Sequence, residues 1–421
     1  MSRGLKYVAK KLDQRIEAIA HELSKSDYDI IALQEIWVFA HYQRVQQRVA
    51  KRLPYSKFFY SGALGSGLAI FTRYPIVSAV IQPYSLNGTP LDVLGGDWFV
   101  GKAASHVVIL HPILGQVQVF NTHLYAKGGE DGPEHNRAHR LVNAWEFAKL
   151  ARQAAQHGRY VIALGDFNSI PPTLPMTIIL EHANLQDAWK VTHPTEIRAN
   201  QISSPIDAIQ RLGVTADSPL NSWSAAKLYA RGTWGKRLDY VLYRQPDRPG
   251  QTLAILKAVE SHVVFTDLVH GQLFSHSDHF GLETTFEIVS DPVVDVDETS
   301  RIASVPSHPQ ELSSAATATT IQALTACYRF SRERSHRELI IFGLCILLLI
   351  GIIIGTAWLP HSWINPIFIV FTIFIAWLAT TMLYEGFIFG NWECNALMNI
   401  IEELEIHRKG LDIQNGQPSR D

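Results

Sequence analysis

Two histidines and an aspartate, His276, Asp278 and His279, crowd into FSHSDHFGLE (274–283), directly ahead of an apolar run that reads as a strand. Ser-Asp-His is ordinary turn chemistry, but at the lip of a sheet the same groups could do proton or metal chemistry. Other apolar runs end the same way. IIALQEIW delivers Gln34 and Glu35, QVQVFNTHL delivers Asn121 and His123, YVIALGDFN delivers Asp166 and Asn168, and GKRLDYVLY buries Asp239. Each has a bland alternative: Glu35 as a helix N-terminal acid, Asn121 and His123 in a turn, Asp166 and Asn168 in a capping loop, Asp239 paired to Arg237. Taken together, those alternatives leave strand after strand ending in a polar group that is costly to bury unpaired. Convergence on one site is the simpler reading.

The donors suggest the chemistry. They are hard oxygen ligands, and the three cysteines (Cys327, Cys345, Cys394) all lie near the C-terminal end. Such a set suits Mg²⁺ with retained waters better than zinc. No HExxH pair, Walker loop or GxSxG elbow occurs, which leaves protease, P-loop and α/β-hydrolase chemistry without support. One Mg²⁺, two histidines and an Asp/Asn pair are what phosphodiester hydrolysis needs. The metal offsets phosphate charge, a base activates water, and donors hold the phosphate in line. In GGDWFVGK, Gly95, Gly96 and Gly101 could hinge a phosphate-facing lid that carries Asp97 and Lys102, or the stretch is a plain surface loop.

The first 289 residues alternate helical and strand patterns. Leu5, Val8, Leu12, Ile16, Ile19 and Leu23 recur at helical spacing, and further helices fit at about 39–53 and 135–157. Some successive strands have no helix between them, so two packed sheets covered by helices are expected rather than a pure βαβ repeat. Lys+Arg (37) and Asp+Glu (39) nearly balance, so no basic field is available to hold a nucleic acid. MSRGLKYVAKK has no apolar core of a secretory signal. Residues 290–335, rich in Ser, Ala, Thr and Pro over their first part, read as a flexible tether. LIIFGLCILLLIGIIIGTAWL (339–359) and PIFIVFTIFIAWLATTMLY (366–384) are each long and apolar enough to cross a bilayer. Arg329, Arg332, Arg334 and Arg337 precede the first span, Arg408 and Lys409 follow the second, and the PHSWIN loop has no Lys or Arg. The positive-inside rule puts the domain of residues 1–289 and the 391–421 tail on the cytosolic side of a hairpin over 336–390. The basic residues beside the first span would attract anionic phospholipids, an expected activator.

LQEIW, NTHLYA, GDFNSIP, RLDYVLY and SDHFGLE, in this order, resemble the endonuclease/exonuclease/phosphatase superfamily. GLKYVAKK, YSGALGSGLAIFTRYPI and GGDWFVGKAA with two C-terminal spans are similar to the neutral sphingomyelinases, and most of all to the fungal inositol phosphosphingolipid phospholipases C. The resemblance implies a DNase I-like four-layer α/β/β/α sandwich and Mg²⁺-dependent phospholipase C action on a sphingolipid, releasing ceramide and a phosphorylated head group. It makes Glu35 the Mg²⁺ ligand with Asp278 close to the metal, His279 the general base, and Asp239 its orienting partner. Asp166 and Asn168 would position water and phosphate. His123 would bind the phosphate and help the leaving group, with Asn121, Lys102 and Asp97 on the substrate side. An endoplasmic reticulum or mitochondrial membrane would hold the anchor. A phosphatase or nuclease of the same superfamily and a non-catalytic membrane scaffold are the rival readings. The resemblance also implies a strand ending in a metal-holding Asn ahead of GLKYVAKK. Met1 stands three residues before Gly4, so that strand is expected to be missing and the chain as written to fold poorly and be nearly inactive.

Overall fold

The computed structural model describes residues 11–93, 95–129, 132–195, 197, 201–225, 234–247, 254–290, 311–358 and 361–414. Of the stretches singled out above, GLKYVAKK (but for its last lysine), 291–310 of the tether and the end of the tail lie outside the described residues. In chain order the strands are β1 (Ile30–Leu33), β2 (Tyr55–Phe59), β3 (Leu68–Thr72), β4 (Ile76–Pro83), β5 (Ala103–His111), β6 (Gly115–His123), β7 (Tyr160–Asp166), β8 (Gln186–Asp187), β9 (Asp239–Arg244), β10 (Ala254–Val264) and β11 (Gly281–Ser290). The long helices are α1 (Leu12–Lys25), α2 (Phe39–Val49), α3 (Glu134–Gln156), α4 (Ser314–Gly355), α5 (Asn365–Leu383) and α6 (Gly390–Gln414).

Three apolar cores stack the layers. Leu12, Ile16, Ile19 and Leu23 of α1, with Tyr42, Val45 and Val49 of α2, pack on Ile31, Ala69 and Phe71 of the order β1-β3-β2. The other face of that sheet (Phe59, Leu68, Ile70), with Leu256 and Ala258 of the β10-β11 pair, meets Val107, Val119, Ile162 and Val241 of the order β4-β5-β6-β7-β9-β8. The far face of this larger sheet is covered by α3, through Leu141, Phe147, Ala148 and Ala151 against Phe120, Ala163 and Leu242. The molecule is therefore the α/β/β/α sandwich of the DNase I-like fold. β6 and β7 run parallel, so their C-terminal ends, His123 and Asp166, fall side by side, and antiparallel β9 sets Asp239 opposite Asp166.

β1 and β11 each pair on one side only among the described residues. Both edges line one cavity of about 810 Å³, floored by Ile162, Leu164 and Val241 and roofed by Ile19 and Leu23.

The C-terminal third departs from the sequence expectation. The tether expected over 290–335 is helical from Ser314 on, in one 42-residue helix that continues into the first span. Its first half is amphipathic, and Ala323, Leu324 and Cys327 are buried in the core beneath α3. The tail after the second span is likewise no free appendage, because Leu397, Ile400, Ile401 and Leu404 of α6 join the same core. Two helices, Ser314–Trp358 and Asn365–Ile413, are long and apolar enough to cross a membrane. Along the spans Leu347, Ile353, Val370 and Ile373 stay mostly exposed, an apolar surface the rest of the molecule leaves uncovered.

Candidate active site

At the sheet ends the predicted polar residues converge. Asp166 Oδ1 accepts from the Asn168 amide N–H at 2.9 Å, and Asn168 Nδ2 donates to Leu124 O at 3.0 Å. Asn168 sits at φ 45°, the tight turn that GDFN makes as it leaves β7. Gly165 is required there: at φ +149° an added Cβ would fall 2.1 Å from Thr122 O. Across the strand pair, His279 Nδ1 lies 2.9 Å from Asp239 Oδ2. Ligand atoms of Asp166, Asp239 and His279 all fall within 4.8 Å of one another.

Burial works against a charged His279 ring, but the charge and hydrogen bond of Asp239, then Asp166 and Asp278, outweigh it and raise its pKa to about 10. Burial likewise opposes the Asp166 carboxylate. The His123 hydrogen bond and the charges of His123, His279 and Lys102 prevail and hold it far below the ordinary carboxylate range. His123 Nε2 is 3.3 Å from Asp166 Oδ2 and 3.0 Å from Lys102 Nζ. Lys102, fully buried, donates to Leu124 O at 2.8 Å and pairs with Asp97 at 3.2 Å. Asp97 opens a one-turn helix (Asp97–Val100) between Gly96 and Gly101, both at positive φ. The loop thus packs Lys102 against the site.

Glu35, Asp278 and His276 line the same cavity as His123, Asp166, Asp239 and His279. Glu35 follows β1 at φ 58°, closely covered by Gly67. One expected role fails. Asn121, placed above with the phosphate-binding residues, is fully buried and donates to Leu33 O and Ala69 O, both at 3.0 Å, while accepting from Gln34 at 2.7 Å. Its amide clamps one sheet to the other and has nothing left for a phosphate. Arg237 pairs with Asp187 at 2.7 and 2.9 Å rather than with Asp239, which leaves that carboxylate to His279.

Residues of the 201–225 stretch, which carries no motif of its own, brace the site. Asn221 Nδ2 donates to Ser277 O (2.9 Å) and Asp278 O (3.1 Å), and Thr215 Oγ1 accepts from the amides of Leu238 and Asp239. Ser222 and Ser275 exchange reciprocal side-chain bonds to each other's amides. No local pattern marks such residues, because their partners lie on distant loops.

Residues 5–279 match the Endonuclease/Exonuclease/phosphatase family. The chain is 34% identical over 411 residues to the inositol phosphosphingolipids phospholipase C of Schizosaccharomyces pombe, covering 96% of this chain and 91% of that one. To the protein of that name from Saccharomyces cerevisiae it is 30% identical over 430 residues, covering 95% and 87%. Among solved structures, Staphylococcus aureus beta toxin superposes with a TM-score of 0.47 at 19% identity, over 65% of this chain and 91% of that one. With the family match over residues 5–279 and relatives in two yeasts matched over most of both chains, the chain belongs to the endonuclease/exonuclease/phosphatase family, in its branch of inositol phosphosphingolipid phospholipases C.

Proposed function

We propose that the protein is a membrane-anchored, Mg²⁺-dependent phospholipase C. It would cleave the phosphodiester of a sphingolipid, sphingomyelin or an inositol phosphosphingolipid, into ceramide and the phosphorylated head group. The observation that carries this reading is the His279–Asp239 pair at 2.9 Å, set against Asp166 and His123 at the ends of adjoining strands.

In this reading His279 is the general base. Its Nδ1 faces Asp239, so Nε2 is the nitrogen that takes the proton from the attacking water, and Asp239 stabilises the imidazolium that forms. Asp166 accepts from the water and, with Asn168, fixes where it sits. His123 faces the phosphate and stabilises charge as the ceramide oxygen leaves, with the buried Lys102 ammonium held behind it by Leu124 O and Asp97. Glu35 and Asp278 would hold Mg²⁺. The site fits that ion, since its donors are carboxylate oxygens and no cysteine precedes Cys327. When bound, the ion offsets charge on a non-bridging phosphate oxygen.

The lipid substrate agrees with the apolar helices at the C-terminal end, which would keep the cleft beside a bilayer. The arginines before the first span favour a cytosolic domain in an endoplasmic reticulum or mitochondrial membrane, and attraction to anionic phospholipids. The test is head-group release by the full chain from sphingomyelin and from inositol phosphoceramide, with Mg²⁺ and with a chelator. Metal-dependent release of a phosphorylated head group is expected. Release of inorganic phosphate alone would point to a phosphatase, and no release from either lipid would leave a scaffold.

A further inference from the structure

The helix that follows the second span grips the catalytic domain at one particular segment. Trp392 Nε1 donates to Ser85 O at 3.0 Å. Beside it, Glu393 reaches inward. Its Oε1 lies 2.8 Å from His139 Nε2, and His139 Nδ1 accepts the Gly88 N–H at 2.9 Å. His139 is 3% exposed and Glu393 1%. With Nδ1 accepting, the ring proton belongs on Nε2, aimed at Glu393, so the tautomer is fixed from both sides. Arg334, on the helix entering the first span, bonds the other Glu393 oxygen.

The gripped segment leads to the reaction site. Asn87, next to Gly88, donates to Lys102 O at 3.2 Å, and Tyr84 N–H donates to the same carbonyl at 3.0 Å. Lys102 is the buried cation on His123. Gly88 itself sits at φ +90°, where a Cβ would press on the Tyr125 ring at 3.0 Å, so the backbone here has little freedom of its own. A buried hydrogen bond to a carboxylate adds modest net stability, but with every partner in place it fixes geometry.

We infer that His139 and Glu393 are positioning residues for Lys102, the buried cation that backs His123. Glu393 on the membrane-anchor helix orients His139, His139 holds Gly88, and the segment so held sets where Lys102 stands. The anchor is then part of the active-site architecture as well as a tether, an inference that rests on the catalytic reading above.

The test uses the full chain in detergent with substrate in mixed micelles, so that recruitment to a bilayer is not what is read. His139→Gln keeps a group near Glu393 and removes the acceptor for Gly88; Glu393→Gln keeps shape and removes the charge. Each should lower kcat roughly tenfold, with KM for micellar substrate changed less than twofold, the scale expected for a small misplacement of a catalytic group. In a Lys102→Met background neither should cause further loss, because the two changes act on one element. Hydrogen exchange at residues 85–93 should quicken in both variants, while α3 (Glu134–Gln156) stays protected. That readout does not depend on any substrate. His139→Asn, which keeps an acceptor beside Gly88, should lie between His139→Gln and the parent. If His139→Gln fails to fold, the near-isosteric Glu393→Gln carries the test. Turnover within twofold of the parent with unchanged exchange, or full additivity with Lys102→Met, overturns the inference. A parent chain with no Mg²⁺-dependent release fails the catalytic reading alone, and exchange still decides the positioning.

Discussion

His279 and Asp239 are the residues on which the proposed chemistry turns, and their pairing has a direct pH consequence. A base must be neutral to act, so activity should rise with pH through the His279 titration. Asp239 is the leading counter-charge that holds the pKa up at about 10 against burial. Asp239→Asn should therefore move the ring titration, followed by the histidine Hε1 resonance, to lower pH while turnover drops. Adding Mg²⁺ should move it the same way, because a nearby cation disfavours the protonated ring. A titration unmoved by Asp239→Asn would separate the pair. His279→Ala should cost roughly a hundredfold or more in turnover while the domain stays folded; near-parental turnover would remove His279 from the base role. Most of this set was legible in the sequence, because each member interrupts an apolar run at a place where burial is costly. What could not be read was which polar group spends itself on structure. Asn121 and His123 stand two apart on one strand, yet the carbonyls of Leu33 and Ala69 on the facing sheet consume the first. Asp239 and Asp187 could each have taken Arg237, and only the tertiary placement of β8 assigns it.

Strands and helices position these groups with little slack. Because β7 lies against β6 at Gly165 with no room for a Cβ, Gly165→Ala combines a clash with a positive φ. It should destabilise the domain by about 1–3 kcal/mol, read as a lowered Tm, with activity lost in step. A neutral Gly165→Ala would mean that the turn into GDFN can relax. The cavity between β1 and β11 makes a second statement at this scale. Its two strand edges offer N–H and C=O groups without ladder partners among the described residues, and its floor and roof are apolar. An extended segment of about five or six residues, apolar on both faces, would join the two edges into a single sheet. A peptide of that pattern added in trans should raise Tm, because it binds the folded chain and not the unfolded one. An unchanged Tm would show the slot to be dispensable. The helices at 39–49 and 134–156 were readable from periodicity to within a few residues. β10 was missed, since Ile255 and Val259 on its exposed face blur the alternation that Leu256 and Ala258 would otherwise announce.

At the scale of the whole molecule, the C-terminal helices and the domain of residues 1–289 share one core, and this was the least legible feature. Composition marked 290–335 as a tether, but whether an amphipathic helix finds a surface depends on α3 offering one. Packing of α4 and α6 on α3 is accompanied by a ring of titratable pairs. Glu311 bonds Arg152, Glu403 bonds Lys149 and Trp145, and Glu393 bonds His139 and Arg334. Burial opposes each of these carboxylates, yet their partners hold all three pKa values below the ordinary glutamate value. Their contribution to docking is present above the undocked pKa of about 4.5 and lost as pH falls through the docked values. His182 and His407 push the same way from higher pH. Burial, with Arg152 beside both, lowers them, His182 to about 3, so the docked state stays neutral where the undocked rings take up protons near 6.5. Docking should therefore weaken as pH falls from 6.5 and weaken further below about 4.5. In detergent, proteolysis within Asn391–Gln414 should be slow at pH 7.5 and quicken at pH 5, before the catalytic sandwich itself unfolds. His182→Gln, which cannot titrate, should flatten the change between pH 6.5 and 5 and leave the deeper acid limb in place. Cleavage that is independent of pH across this range would mean that the apolar core alone holds these helices on the domain, and an equally steep change in His182→Gln would leave the response to His407 and remove His182 from it.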